Sequence, residues 1–330
     1  MALAGNVEDQ ARSAPAAKLV SIPANPAPEG VTTGMLRTPD KVSIRYARWE
    51  PPRGRKGTVV IFQGRTEFIE KYFEVVRDLR ARGFAVATLD WRGQGLSQHA
   101  LKDRCKGHLN SFSEYDTDLA TFMQQMVLPD CPPPYFALGH STGGSVLLRA
   151  AHGGQRWFDR IVLSAPLIRL AQVQMLGFAG PLARAMHDLG FGRLYVPGGG
   201  PEIGAQQPFI GNPVTSDPVR YTRFAAVIEA EPSLGLGAPT IGWADAAFRA
   251  MAQFARPTYP RQIAQPILVI AAGSDVITST AATEAFAMNL RAGAHLLIPG
   301  AQHELLMEQD SFRQQFWAAF DAFVPGTPLY

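Results

Sequence analysis

The run Gly139-His140-Ser141-Thr142-Gly143-Gly144 sets a serine between glycines in the pattern G-x-S-x-G. On a strand–turn–helix this becomes a nucleophile elbow: glycines leave room for a turn so sharp that the serine projects above the sheet edge. A serine hydroxyl is a weak nucleophile near neutral pH. It needs a neighbouring base, usually histidine, held in one tautomer by a carboxylate. Of the seven histidines, His152, His187, His295 and His303 follow the start of the elbow helix. His152 lies at that helix's end, His187 in a stretch without sheet pattern, and His295 inside a strand-like run. His303, in Leu297-Ile-Pro-Gly-Ala-Gln-His-Glu304, follows a strand by a short loop. Asp275, in Ala272-Gly-Ser-Asp-Val276, directly follows the apolar run Ile267–Ala271. Each feature has a plainer reading: a glycine-rich turn, a surface histidine, an aspartate capping a helix. The order Ser141, Asp275, His303, each at a strand end, favours acyl transfer.

Such chemistry needs two backbone N–H donors for the tetrahedral oxyanion, and losing one costs on the order of 10²–10³ in rate. Thr142 N–H, at the start of the elbow helix, is one candidate. The second should come from the loop after Gly57–Phe62, which points to Arg65 N–H, with Gly64 giving the backbone room to approach.

These loops must be carried by a sheet. Val31–Leu36 and Val42–Trp49, separated by Thr38-Pro39-Asp40, read as a hairpin. Gly57–Phe62 is an almost unbroken apolar run, as in a strand buried on both faces. The pattern then alternates: helix Phe68–Arg82 ending at Gly83, strand Phe84–Leu89, helix Ser113–Val127, strand Tyr135–Leu138, helix Gly143–Ala151, strand Ile161–Ser164. It resumes with Ile267–Ala271, helix Thr280–Leu290, strand Ala294–Ile298 and helix Ser311–Phe323. Alternation of this kind predicts a mostly parallel central sheet flanked by helices. Between the two blocks periodicity fails, so 31–166 and 262–330 read as the core and 167–261 as an inserted, mainly helical cap. Its apolar clusters Leu167–Leu170 and Met175–Phe178 could line an acyl pocket or be the cap's own small core. Residues 1–30, rich in Ala and Pro, read as a poorly ordered or loosely wrapped N-terminal arm.

Bulk properties exclude other classes. In 330 residues, 46% are hydrophobic and 18% charged, as in a globular protein. The net charge of +3 is spread without a basic run, which argues against nucleic acid. No apolar stretch is long enough to span a membrane, and the acidic residues near the N-terminus do not suit a signal peptide. The expectation is a cytoplasmic protein, with peripheral contact at a membrane surface left open. Cys105 and Cys131 match no metal-ligand spacing and read as free thiols.

With these residues in place the chain, from Val31 to Phe323, resembles the bacterial lysophospholipase and monoacylglycerol lipase branch of the α/β-hydrolases. Gly139–Gly144 is similar to its G-H-S-M-G-G elbow, and Asp90-Trp-Arg-Gly-Gln-Gly-Leu-Ser97 to its D-x-x-G-H-G-x-S loop. Gly107-His108 followed by Phe112 and Tyr115 resembles the segment that comes next. Asn212–Tyr221 and Pro239–Trp243 resemble the cap of the bacterial lysophospholipases. The resemblance implies an α/β-hydrolase fold and a cofactor-free serine esterase acting on lysophospholipid or monoacylglycerol. A non-lipid carboxylesterase and a catalytically silent, ligand-binding hydrolase fold are the alternatives. One departure stands out: where the family has H-G-x-G-E, this chain has Gln63-Gly64-Arg65-Thr66-Glu67. A backbone donor survives that change, and Arg65 could add a cation near the acyl or head group. Gly93 and Gly95 of the Asp90–Ser97 loop read as turn residues supporting the elbow.

Overall fold

The computed structural model describes residues 16–51, 56–171 and 177–324. Eight strands form one sheet: β1 (Val31–Arg37), β2 (Ser43–Trp49), β3 (Thr58–Phe62), β4 (Ala85–Leu89), β5 (Tyr135–His140), β6 (Arg160–Ser164), β7 (Ile267–Ala272) and β8 (Gly293–Ile298). Their spatial order is β1-β2-β4-β3-β5-β6-β7-β8. The hairpin β1–β2 is antiparallel, from Val31 opposite Trp49 to Arg37 opposite Ser43, and β2 meets β4 antiparallel. Every remaining pairing is parallel. The helices are α1 (Phe73–Ala81), α2 (Ser113–Phe122), α3 (Leu128–Asp130), α4 (Thr142–His152), α5 (Ala179–Asp188), α6 (Pro218–Ala230), α7 (Ile241–Phe254), α8 (Thr258–Arg261), α9 (Thr280–Ala287) and α10 (Asp310–Phe323).

Strand alternation divides the apolar residues between two cores. Along β3, Val60 and Phe62 join Leu119, Phe122, Val146 and Phe286 of α2, α4 and α9 on one face. Val59 and Ile61 join Val76, Leu79, Phe316 and Phe320 of α1 and α10 on the other. This is the mostly parallel, two-sided α/β-hydrolase architecture that the sequence predicts.

Local departures have local causes. The helix expected from Phe68 begins as a 3-10 turn at Ile69–Tyr72 before α1, and its free Ile69 N–H is capped by Asp90 Oδ1 at 2.9 Å. The helix expected over Ser113–Val127 continues past α2 as a π-helical turn, Met123–Val127, and runs into α3. The expectation of a poorly ordered arm over 1–30 is corrected for residues 16–30. Val20 is buried beside Val227, its N–H meets Glu70 Oε1 at 3.1 Å, and Asn25 Nδ2 donates to Glu70 O at 2.8 Å. Lys18 contacts Glu231, so this segment binds both the sheet domain and the insertion. Residues 1–15 lie outside the described residues. Cys105 and Cys131 are free thiols.

Candidate active site

The elbow forms where β5 meets α4. Ser141 sits at φ 49°, ψ −114°, a conformation that costs a non-glycine residue about 1–3 kcal/mol. Close packing fixes the flanking glycines. A Cβ on Gly143 would stand 2.1 Å from Phe62 O, and one on Gly139 2.6 Å from the Leu147 side chain. Ser141 N–H donates to Ser164 O at 3.1 Å, and its carbonyl accepts from Leu167 N–H at 3.0 Å.

The loops after β7 and β8 bring Asp275 and His303 together. His303 Nδ1 lies 2.7 Å from Asp275 Oδ2. The remaining acceptor sites of Asp275 are filled by Ile277 N–H at 2.8 Å, Thr278 N–H at 2.9 Å and Thr278 Oγ1 at 2.7 Å. Burial would raise the Asp275 pKa, but the His303 contact and the Thr278 donors outweigh it and hold the carboxyl below its ordinary value. His303 is buried, and its ring centroid is 4.8 Å from that of His140, the residue before Ser141. The structure thus places all three residues at one sheet edge.

The loop after β3 faces the elbow. A Cβ on Gly64 would be 3.2 Å from Ser141 Cβ and 3.0 Å from the His140 ring. Gly64 N–H donates to the Glu67 carboxylate, and Thr66 N–H to Gln94 Oε1 at 2.7 Å. Between them, Arg65 N–H meets no acceptor among the described residues, and neither does Thr142 N–H. Gln94 belongs to the Asp90–Ser97 loop, and Trp91 Nε1 donates to Gln63 O at 2.9 Å. That loop therefore braces the β3 loop directly. Its tight turn needs glycine: Gly95 has φ 51°, and a Cβ there would lie 2.2 Å from Asp90 Oδ2.

Sequence reasoning did not single out the charged cluster under these loops. Lys71 Nζ lies 2.8 Å from Glu67 Oε1 and 2.6 Å from Glu304 Oε1, and Tyr72 OH donates to Glu67 Oε2 at 2.8 Å. Burial opposes charge on Glu67, but Lys71 and His140 overcome it and hold Glu67 down at about 2. Burial, with Glu67 close by, raises Glu304. Burial also pushes His140 down to about 4, leaving it neutral, with Nδ1 3.1 Å from Ser164 O. Two signals were available: Glu67 and Lys71 stand at i,i+4 spacing, and Glu304 adjoins His303.

The segment between β6 and β7 covers this edge. Phe224 of α6 stacks on Phe68 at 5.3 Å, and Glu304 N–H donates to Val214 O at 2.8 Å. A cavity of about 380 Å³ lies between Arg65 and this segment. An apolar groove of about 610 Å³ is lined by Ile168, Phe248, Met251, Phe254 and Phe286. Of the apolar clusters expected to line a pocket, Leu167 is buried in the core, Ile168 reaches the groove, and Phe178 is exposed. Residues 172–176 lie outside the described residues. Among the described residues no group of His, Cys, Asp and Glu is placed to hold a metal, and no helix is long and apolar enough to cross a membrane.

Comparisons with known proteins identify the family of the chain. The profile of the family described as serine aminopeptidase, S33, matches residues 53–310. Lysophospholipase L2 of Escherichia coli is 31% identical over 293 residues, covering 83% of this chain and 82% of that protein. A probable lysophospholipase L2 of Haemophilus influenzae is 25% identical over 275 residues, covering 83% and 86%. Among solved structures, a soluble variant of monoglyceride lipase from Saccharomyces cerevisiae superposes with TM-score 0.71 at 18% identity, covering 91% and 97% of the two chains. The chain therefore belongs to the serine aminopeptidase S33 family of α/β-hydrolases, enzymes of the serine hydrolase superfamily.

Proposed function

We propose that this protein hydrolyses carboxylic esters of lipids, lysophospholipid or monoacylglycerol, through an acyl-enzyme formed on Ser141. The observation that carries the reading is the 2.7 Å contact between His303 Nδ1 and Asp275 Oδ2, set beside a serine held in a strained elbow. With Nδ1 protonated and bound to the carboxylate, Nε2 is left as the base. His303 takes the Ser141 proton as Oγ attacks the ester carbonyl, and Asp275 stabilises the resulting imidazolium. Arg65 N–H and Thr142 N–H, the two unengaged amides beside Ser141, receive the oxyanion. Collapse of the tetrahedral intermediate breaks the C–O bond to the alcohol, which leaves with the proton from His303. Water, deprotonated by the same histidine, then releases the fatty acid. No step calls for a metal or an organic cofactor.

Sheet topology supports a two-part substrate. β5, which carries Ser141, lies between β3 and β6. The Ile168 groove follows β6, and its size and apolar walls suit an acyl chain. The Arg65 cavity follows β3 and falls to the alcohol part. The family description names an aminopeptidase, whose substrate needs a carboxylate for its α-ammonium. Glu67 and Glu304 are committed to Lys71, whereas Glu202 lines the Arg65 cavity without an ion pair among the described residues, so ammonium recognition alone does not separate the two readings. The names of the Escherichia coli and Haemophilus influenzae relatives point to lipid esters. In this reading 167–261 is a cap over the site.

The test is a panel of long-chain monoacylglycerol, lysophospholipid and short acyl esters, run beside fluorophosphonate labelling. Hydrolysis of the long-chain lipids, with label on Ser141 and loss of both in Ser141→Ala, is the expected result. Preference for short esters would replace the lipid reading with a small-ester one. No labelling at all would make the protein a silent binding fold.

A further inference from the structure

The lipid-ester reading leaves the alcohol part of the substrate open, and Arg65 bears on it. From the loop beside Ser141 its guanidinium turns toward the insertion, where Nη2 donates to Gly237 O at 2.7 Å. Its Cζ sits 5.2 Å from the centroid of the Trp243 ring. Stacking on an aromatic face leaves the edge of a guanidinium free for hydrogen bonds. Here Nη2 is taken by Gly237 O, while Nε is buried and has no partner in the protein.

The fully buried arginines are neutralised, whereas Arg65 is partly buried. Arg45 meets Glu70 and Asp90, Arg92 meets Asp118 and Asp40, and Arg313 meets Asp78. Arg65 forms no ion pair among the described residues. Burial lowers its pKa to about 10, with only Tyr115 and Tyr195 acting against that shift. A desolvated cation without a counterion is costly, and an anionic ligand offsets the cost.

The cavity of about 380 Å³ in front of Arg65 has a wall of Gly198, Gly199 and Gly200, with Glu202 also lining it. At Gly199 a side chain is kept out of that wall, for a Cβ there would lie 2.6 Å from Ala238 Cβ. Glu202 and Arg65 do not pair. A simple anion would satisfy Arg65 and be repelled by Glu202. A phosphodiester that carries an ammonium group suits both.

We propose that Arg65 and this cavity form the subsite for the phosphate of a lysophospholipid head group, with Glu202 facing the amine beyond it. The proposal rests on the lipid-ester reading above, and makes Arg65 the residue that separates lysophospholipid from monoacylglycerol.

The experiment compares kcat/KM on lysophosphatidylcholine and on a monoacylglycerol of the same chain length, for wild type, Arg65→Met and Arg65→Lys. Arg65→Met is expected to lower the ratio of lysophospholipid to monoacylglycerol by about ten- to a hundredfold, the range for a lost charge-assisted contact, while Arg65→Lys retains most of it. Continued labelling of Ser141 in both variants shows that the site is still folded. Glu202→Gln is expected to erase several-fold of the preference for lysophosphatidylcholine over lysophosphatidylglycerol. Equal losses on both substrates in Arg65→Met would overturn the proposal. So would inorganic phosphate that raises Tm through Arg65 without any change in substrate ratio, which assigns the site to free phosphate. Wild type inert on both lipids but active on short esters would instead refute the lipid reading.

Discussion

Two sets of loops meet at Ser141, and they are finished to different degrees. After β7 and β8 the carboxylate and imidazole are tied down: both oxygens of Asp275 are bound, and His303 Nδ1 is fixed on one of them, while Gln302 Oε1 in the same loop is buried without a protein partner. After β3 the backbone is braced but the side chains are not, for the amide of Gln63 is buried without a protein partner and Arg65 Nε shares that condition. Buried polar groups in native proteins are seldom left so, because each costs roughly 1–3 kcal/mol. The contrast is one of side-chain anchoring: the Asp275–His303 pair is fixed by the protein's own hydrogen bonds, whereas the side chains of the β3 loop are held mainly by packing.

The sharpest way to break the first half of this contrast is Ser141→Ala, which should lower kcat by on the order of 10⁴–10⁶ in an ester-hydrolysis assay, as for a lost nucleophile in serine hydrolases. A milder loss would move the nucleophile elsewhere. Asp275→Asn should cost about 10³–10⁴ in kcat with the circular dichroism spectrum unchanged, since the tautomer of His303 is lost while the packing stays. The second half is probed by Glu67→Gln, which weakens the hold on Gly64 N–H and leaves Lys71 with Glu304 alone. It should reduce kcat about tenfold and stability by roughly 2–4 kcal/mol in denaturant titration. Loss of stability with kcat intact would confine Glu67 to structure.

The smallest effect concerns His140, which lies between the two sets of loops. Its folded pKa of about 4 is below the ordinary 6.5, so the unfolded chain takes up a proton between those values and the folded one does not. Its contribution to stability is therefore whole above pH 6.5, declines as pH falls toward 4 and is level below that. Tm should drop over this window by the equivalent of about 1–3 kcal/mol, and His140→Asn should flatten the slope. His99, also pushed down to about 4 by burial, keeps part of it in the variant.

Much of this was legible in the sequence because it is local. A buried parallel strand is a continuous apolar run, and β3, β5, β6 and β7 were found that way. The reading of Ser141, Asp275 and His303 as the site rests on the same strand ends, where a loop must present its side chain. What escaped is held by partners far apart in the chain. The arm at residues 16–30 looks disordered by composition but is pinned by Glu70 and Arg45, whose Nη1 donates to Lys18 O at 2.9 Å. The Asp90–Ser97 loop was rightly read as a set of turns, yet its contact with Thr66 through Gln94 has no sequence signature. The same holds for Arg65: its side chain was noticed, but the absence of a counterion is a property of the folded chain alone.

Lys71 gives the molecule an order of assembly. It is 233 residues from Glu304, yet one ammonium group joins the helix turn behind the β3 loop to the residue after His303. As the chain is synthesised, the elbow and the β3 loop can meet once β5 and β6 have formed. The clasp that holds that loop against the histidine has to wait for the last strand. A chain stopped short of Glu304 would leave Lys71 with Glu67 as its one carboxylate partner.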